Sequence, residues 1–191
     1  MILYGSQTSP FVRRIRLLLP PQSYEFKRVD IFNQEERAQL LKLSPLLKIP
    51  ILKVDEEMIW DSRVIFNELC KRKYHPSLSL KEENWLTAIS HVSDSFIQML
   101  LASRSKVIFP LGTPLEVSHK ERTQNTLEFL NLQCSQRNFV EWNFIAMCLY
   151  CLIDWIDFRN LTDLSNYPHL ITFKEQNKNR DHISETDPRK T

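Results

Sequence analysis

Glycine is nearly missing from this chain: Gly5 and Gly112 are the two in 191 residues. Loops that cradle phosphates need several glycines, because bare backbone has to approach the phosphates closely. Nucleotide binding through a P-loop or a GxGxxG turn is thereby excluded. Charge of one sign is lacking as well. The formal net charge is +2 and no long Lys/Arg block occurs, which argues against nucleic acid as a partner. Long hydrophobic runs are absent too. The longest, Phe144 to Ile153, is closed by Asp154 and falls well short of the roughly 20 residues that span a bilayer, so no membrane partner is expected. The opening MILYGSQTSP has no basic leader and too short an apolar stretch for a signal peptide. Four cysteines do not make a disulfide scaffold in a chain this long, so reduced thiols in the cytoplasm are expected. No Cys/His cluster has metal-ligand spacing, and no metal is expected.

What is present is an ordinary globular balance, 42% hydrophobic and 25% charged. Residues 1–73 alternate strand and helix signals. Ile2-Leu3-Tyr4 is a short apolar run that ends at Gly5. Ser9-Pro10 then opens a helix over Phe11–Leu19, since Ser is a good N-cap and Pro is favoured at the first helical position. Pro20-Pro21 closes it. Tyr24–Ile31 reads as a strand, and Asn33 with Glu36 opens a second helix reaching Leu43. Ile49–Val54 and Met58–Trp60 read as two strands around the turn Asp55-Glu56-Glu57. Pro50 cannot donate to a ladder, so it implies an edge or a special turn. Asp61-Ser62 starts a third helix with Val64, Ile65, Leu69 and Cys70 on its buried face. The order is βαβαββα.

Residues 74–81 form a polar linker with Pro76, and 82–191 form a helical half. Trp85, Ile89, Val92, Phe96 and Leu100 recur at spacings of three and four, one apolar stripe on a long helix. Pro110–Pro114 breaks it. A second helix covers Glu116–Leu132, with Leu127 and Leu130 inward. Asn143–Phe158 is nearly all apolar and reads as a buried central helix. Its Cys148 and Cys151 spell C-x-x-C, but a redox pair needs a helix N-terminus to lower a thiol pKa; inside FIAMCLYCLI the pair reads as core. A last helix runs from Asn166-Tyr167-Pro168 to Asn177, and the polar tail from Ser184 is expected to fray.

LYGSQTSPFVRRIRLLL, SPLLKIPIL and IWDSRVIFNEL, in that order and spacing, resemble the three blocks of the glutathione S-transferase N-terminal domain, and the pattern is similar to short bacterial members with a T-S-P-F-V-R segment. A weaker likeness continues at LIDWIDFRN, NYPHL and SETDPRK. The resemblance implies a thioredoxin-like domain at 1–73 followed by an all-α domain. It also implies glutathione as co-substrate, a small electrophile, and a homodimer built through the third helix against the second half's long helices.

The site follows residue by residue. Ser9 stands at the positive end of the first helix, where a hydroxyl and the helix dipole favour a thiolate. Thiols at such ends fall from about 8.5 to as low as about 3.5, so bound glutathione would become the nucleophile. The resemblance puts Ser9 in the role of thiolate stabiliser, with Thr8 and Ser6 as alternatives; serine cannot form a mixed disulfide. Ile49-Pro50 matches the family's cis-proline step, whose preceding backbone pairs with the cysteinyl unit like an added strand. Lys48 is placed to meet a carboxylate of the tripeptide. Asp61 and Ser62 open a helix whose N-terminus suits the γ-glutamyl carboxylate. Phe11, Phe96, Leu100 and Arg104 are candidates for the wall of the electrophile site, Arg104 for an anionic co-substrate. Three departures stand out: Leu47 where glycine is usual, a helix-start box reduced to Asn143 and Ala146, and a short Arg137–Trp142 stretch without its glycine. Against the transferase stands a second reading, a non-catalytic member using the same fold as a protein-interaction module.

Overall fold

The computed structural model describes residues 1–190 as two compact units, 1–77 with 178–190, and 78–177. In the first unit, strands β1 (Ile2–Gly5), β2 (Glu25–Arg28), β3 (Ile51–Val54) and β4 (Glu57–Trp60) make one sheet in the order β2-β1-β3-β4. β1 runs parallel to β2 and antiparallel to β3, and β3 pairs antiparallel with β4. Helices α1 (Pro10–Leu18) and α3 (Ser62–Lys71) pack on one another, and α3 packs on β3 and β4. Helix α2 (Gln34–Leu43) buries Leu40 with Val29 and Ile51 in a cluster that Tyr4, Ile31, Leu43, Leu47, Ile49 and Met58 flank. The thioredoxin-like order expected from the residues is the observed one.

Gly5 has a packing reason. A Cβ at this position would lie 2.6 Å from both γ-carbons of Val12, so only glycine lets α1 approach the end of β1. β2 is shorter than the expected Tyr24–Ile31. It is an outer, mostly exposed strand, and Asp30 ends it by turning the chain, its Oδ1 accepting from the Phe32 amide at 2.9 Å. Asn33 caps α2 by accepting from the Glu35 and Glu36 amides, while Glu36 reaches back to the Asp30 amide at 2.6 Å. The buried face of α3 differs from the expected one: Ser62, Ile65, Phe66 and Leu69 are buried, whereas Val64 is 52% exposed and Cys70 half-buried. With Ile65 and Leu69 set inward, the i+1 and i−3 positions 66 and 62 share their face, and 64 turns away.

The second unit holds α4 (Leu80–Arg104), α5 (Pro114–Ser135), α6 (Phe144–Arg159) and α7 (Pro168–Asn177). α4 packs on α5 and α6, and α7 on α5 and α6. α6 is the core, with both Cys148 and Cys151 fully buried inside it and not disulfide-bonded. Its reduced helix-start box is made good from elsewhere. Asn143 accepts from the Ile145 and Ala146 amides at 3.1 Å, and its own amide donates to Glu82 Oε1 of α4 at 3.2 Å. The other oxygen of Glu82 accepts from the Ser79 amide at 2.8 Å and so completes the capping box of α4. One carboxylate thus serves two helix starts.

Candidate glutathione site

Strand register decides which segments meet. Tyr4 pairs with Ile51, and Ile51 with Trp60. The end of β1, the start of β3 and the end of β4 therefore lie in one row across the sheet. The segments carrying Ser9, Ile49-Pro50 and Asp61-Ser62 all leave from that row, although 52 residues of sequence separate Ser9 from Asp61.

Ser9 is the N-cap of α1 in relaxed extended backbone (φ −85°, ψ 124°), and its Oγ accepts from the Val12 amide at 3.3 Å. A hydroxyl has two lone pairs and one proton, so this cap leaves the O–H available to donate. Capping the helix and holding a thiolate are compatible in one side chain. The alternatives are more committed: Ser6 Oγ and Thr8 Oγ1 bond each other at 3.2 Å, and Ser6 Oγ accepts from the Thr8 amide at 3.4 Å. Phe11 is half-buried with the Arg14 guanidinium over its ring, 4.3 Å from the centroid.

The Ile49–Pro50 peptide is cis, Pro50 is buried, and β3 begins after it at Ile51 rather than at Ile49. Lys48 is exposed beside them. Leu47, in place of the usual glycine, keeps a left-handed φ of 51° and packs against the Val29–Leu40–Ile51 cluster. The loop keeps the backbone a glycine would provide.

At the start of α3 the arrangement is tighter. Asp61 has φ 72° and ψ 138°, outside the left-handed helical well that non-glycine residues occasionally use. Such backbone costs of order 1–3 kcal/mol and is commonest at functional sites. Its Oδ1 accepts from the Arg63 amide at 2.8 Å and the Val64 amide at 3.4 Å. Two of the first-turn amides that the sequence offered to an incoming anion are thus taken by Asp61 itself. The Ser62 amide is not among them, and Ser62 is 2% exposed.

In the second unit, Phe96 is 2% exposed within α4, Leu100 is half-buried and Arg104 is exposed at the helix end. A cation there also suits the negative end of the helix. Burial pushes the Cys134 thiol up to about 12, far from a reactive thiolate. Sequence reasoning missed Arg13 and Arg14, buried at 3% and 0%. The signal was present, for Pro10, Arg13, Arg14 and Leu17 fall at spacings of three and four on one face.

Residues 3–77 match the family model described as Glutathione S-transferase, N-terminal domain. Over its whole length the chain is 23% identical to the Uncharacterized GST-like protein YibF of Escherichia coli (strain K12), with all of both chains covered. A stretch of 90 residues is 31% identical to the Probable maleylacetoacetate isomerase of Caenorhabditis elegans, covering 47% of this chain and 40% of that relative. The crystal structure of a glutathione S-transferase from Methylobacillus flagellatus KT with GSH bound superposes with a TM-score of 0.80 at 20% identity, covering 98% of each chain. Residues 3–77 thus match the N-terminal domain of the glutathione S-transferase family, and the chain as a whole has the glutathione S-transferase fold.

Proposed function

We propose that this protein binds glutathione and activates its thiol for conjugation to, or exchange with, a small electrophile. The observation that carries the reading is Ser9: its oxygen caps α1 by accepting from the Val12 amide, and its proton stays free to donate to a thiolate at the positive end of that helix. Glutathione's γ-glutamyl group carries an ammonium and a carboxylate. The acceptor-only carboxylate of Asp61 suits the first, and the Ser62 hydroxyl and amide suit the second. The Ile49 backbone beside the cis-proline suits the cysteinyl unit, Lys48 a carboxylate of the tripeptide, and Phe11 is assigned with them to glutathione. Phe96, Leu100 and Arg104 are assigned to the electrophile. The protein acts as a cytoplasmic homodimer in this reading, and the exposed Val64 on α3 suits a partner surface.

Calorimetric titration with reduced glutathione, followed on the same sample by a thiol-conjugation assay, tests it. Binding with turnover is expected. Binding without turnover across a panel of electrophiles supports the interaction-module reading instead. No binding at millimolar glutathione overturns the proposal and leaves only the fold.

A further inference from the structure

Arg13 is 3% exposed on the same helix that carries Ser9. Arginine is almost never so buried without partners. Its partners lie far along the chain. Nε donates to Thr186 Oγ1 at 3.2 Å, across 173 residues of sequence, and a terminal guanidinium nitrogen donates to the Ile183 carbonyl at 3.2 Å. The Thr186 hydroxyl passes the bond on, donating to the His182 carbonyl at 2.7 Å. Arg16, on the next turn, donates to the Glu185 carbonyl at 3.3 Å. Burial raises the Asp187 carboxyl, but hydrogen bonds from Arg189 and the charges of Arg189 and Arg13 outweigh it and hold the group below its usual range. The tail expected to fray is therefore clasped: Ile183 and Thr186 are 5% and 3% exposed, and residues 178–190 belong to the same compact unit as the sheet.

Arg13 also faces the other way. Its amide donates to the Ser9 carbonyl at 3.0 Å and closes the first turn of α1. Helix ends fray unless something outside holds them, and a hydrogen bond weakens steeply once its angle is lost.

We propose that Arg13 is a positioning residue, which through Thr186 and Ile183 ties the C-terminal segment to α1 and so fixes the turn on which Ser9 presents its hydroxyl. The catalytic consequence rests on the thiol-activating role proposed above. The coupling of tail to helix does not.

Thr186→Val in the full chain keeps the shape while removing the hydroxyl that accepts from Arg13, and Thr186→Ser restores it. Two readouts are taken: hydrogen exchange of the Val12 and Arg13 amides without ligand, and the apparent pKa of glutathione's thiol on the protein, followed by thiolate absorbance. Thr186→Val is expected to speed exchange at those amides about tenfold relative to β1 and β3. It should also raise the thiol's apparent pKa by about half a unit. Thr186→Ser returns both to the parent values. On a Ser9→Ala background Thr186→Val adds no further pKa shift, because the hydroxyl being aimed is gone. If Thr186→Val does not fold, Arg13→Lys carries the same test, since it keeps the charge and loses the planar fork. Unchanged exchange at Val12 and Arg13 overturns the coupling. Faster exchange with an unshifted thiol pKa overturns the positioning role, leaving a clasp that only stabilises. Absence of glutathione binding by the parent protein sinks the positioning role together with the function proposed for Ser9, whereas the exchange result decides the coupling by itself.

Discussion

Two helix starts of the first unit, those of α1 and α3, solve the same problem with opposite chemistry. Both α1 and α3 must satisfy free amides, and both use a candidate ligand-binding residue as the cap. Ser9 does so from relaxed backbone at φ −85°, while Asp61 does so at φ 72°. Ser9 engages one amide and keeps a proton to donate; Asp61 engages two and has only lone pairs and a negative charge to offer. The α1 start is thus equipped for an anion such as a thiolate, and the α3 start, at Asp61, for a cation. The general lesson is that a cap and a binding group can be one side chain. A simple deletion then measures both roles at once.

The comparison breaks most violently at Gly5. Gly5→Val places carbons where Val12 already stands, since even a Cβ would come within 2.6 Å of it. We expect about 2–3 kcal/mol of destabilisation, read as a lower urea midpoint, together with loss of glutathione binding as α1 is displaced. Tolerance of valine with an unchanged midpoint would mean that α1 can move away freely, and that the relation of β1 to Ser9 is not what organises the site.

Asp61 comes next. Asp61→Ala removes the cap on two amides and should cost about 1–2 kcal/mol in stability as well as weaken glutathione binding. Asp61→Asn sharpens the result, because the amide oxygen still caps and asparagine tolerates positive φ better than most residues. Stability should then stay within about 0.5 kcal/mol while affinity falls, measured by calorimetry. An asparagine variant that binds as tightly as the parent would remove the charge of Asp61 from the site.

Ser9 gives a smaller effect on stability and a cleaner one on chemistry. Alanine at an N-cap costs about 1 kcal/mol and glycine only a few tenths, yet both lose the hydroxyl. Ser9→Ala and Ser9→Gly should therefore differ in thermal midpoint but raise the apparent pKa of bound glutathione equally, with affinity nearly intact. Unchanged activity in both would shift the role to Thr8 or Ser6.

The smallest expected effect lies in the tail. The Asp187 carboxyl is held below its ordinary value in the folded chain, so its contribution is complete above the unfolded value of about 3.9. It disappears as pH falls through the lowered folded value. The pair it makes with Arg189 is partly exposed, and we expect less than about 1 kcal/mol. Asp187→Asn should flatten the slope of urea midpoint against pH between 5 and 3; a slope identical to the parent's would show that other carboxyls account for it.

Much of this was legible because it is local. Ser9-Pro10 marks a helix start by itself, as do Asn33 and Asp61-Ser62, and the spacing of Trp85, Ile89, Val92 and Phe96 marks a buried stripe. Three features were not legible for the same reason in reverse. Phe66 rather than Val64 faces inward because α3 packs on both the sheet and α1, and spacing alone allowed either. Asn143 alone looked like half a cap until Glu82, 61 residues away, supplied the rest. Leu47 and Arg137 hold φ of 51° and 60° in stretches where the family resemblance leads one to expect glycine. Nothing local in a leucine or an arginine announces left-handed backbone.

The residues alone determined the order of elements, the three caps, the buried central helix and the likeness that names glutathione, because each depends on neighbours within a turn or a strand. Tertiary structure decided the rest. Register set Tyr4, Ile51 and Trp60 in one row and so brought three distant segments to one end of the sheet, and a buried arginine recruited a polar tail that looked free. Pairing register and burial of charge are long-range properties: their energies depend on which chain atoms replace water, and that choice exists only once the chain is folded.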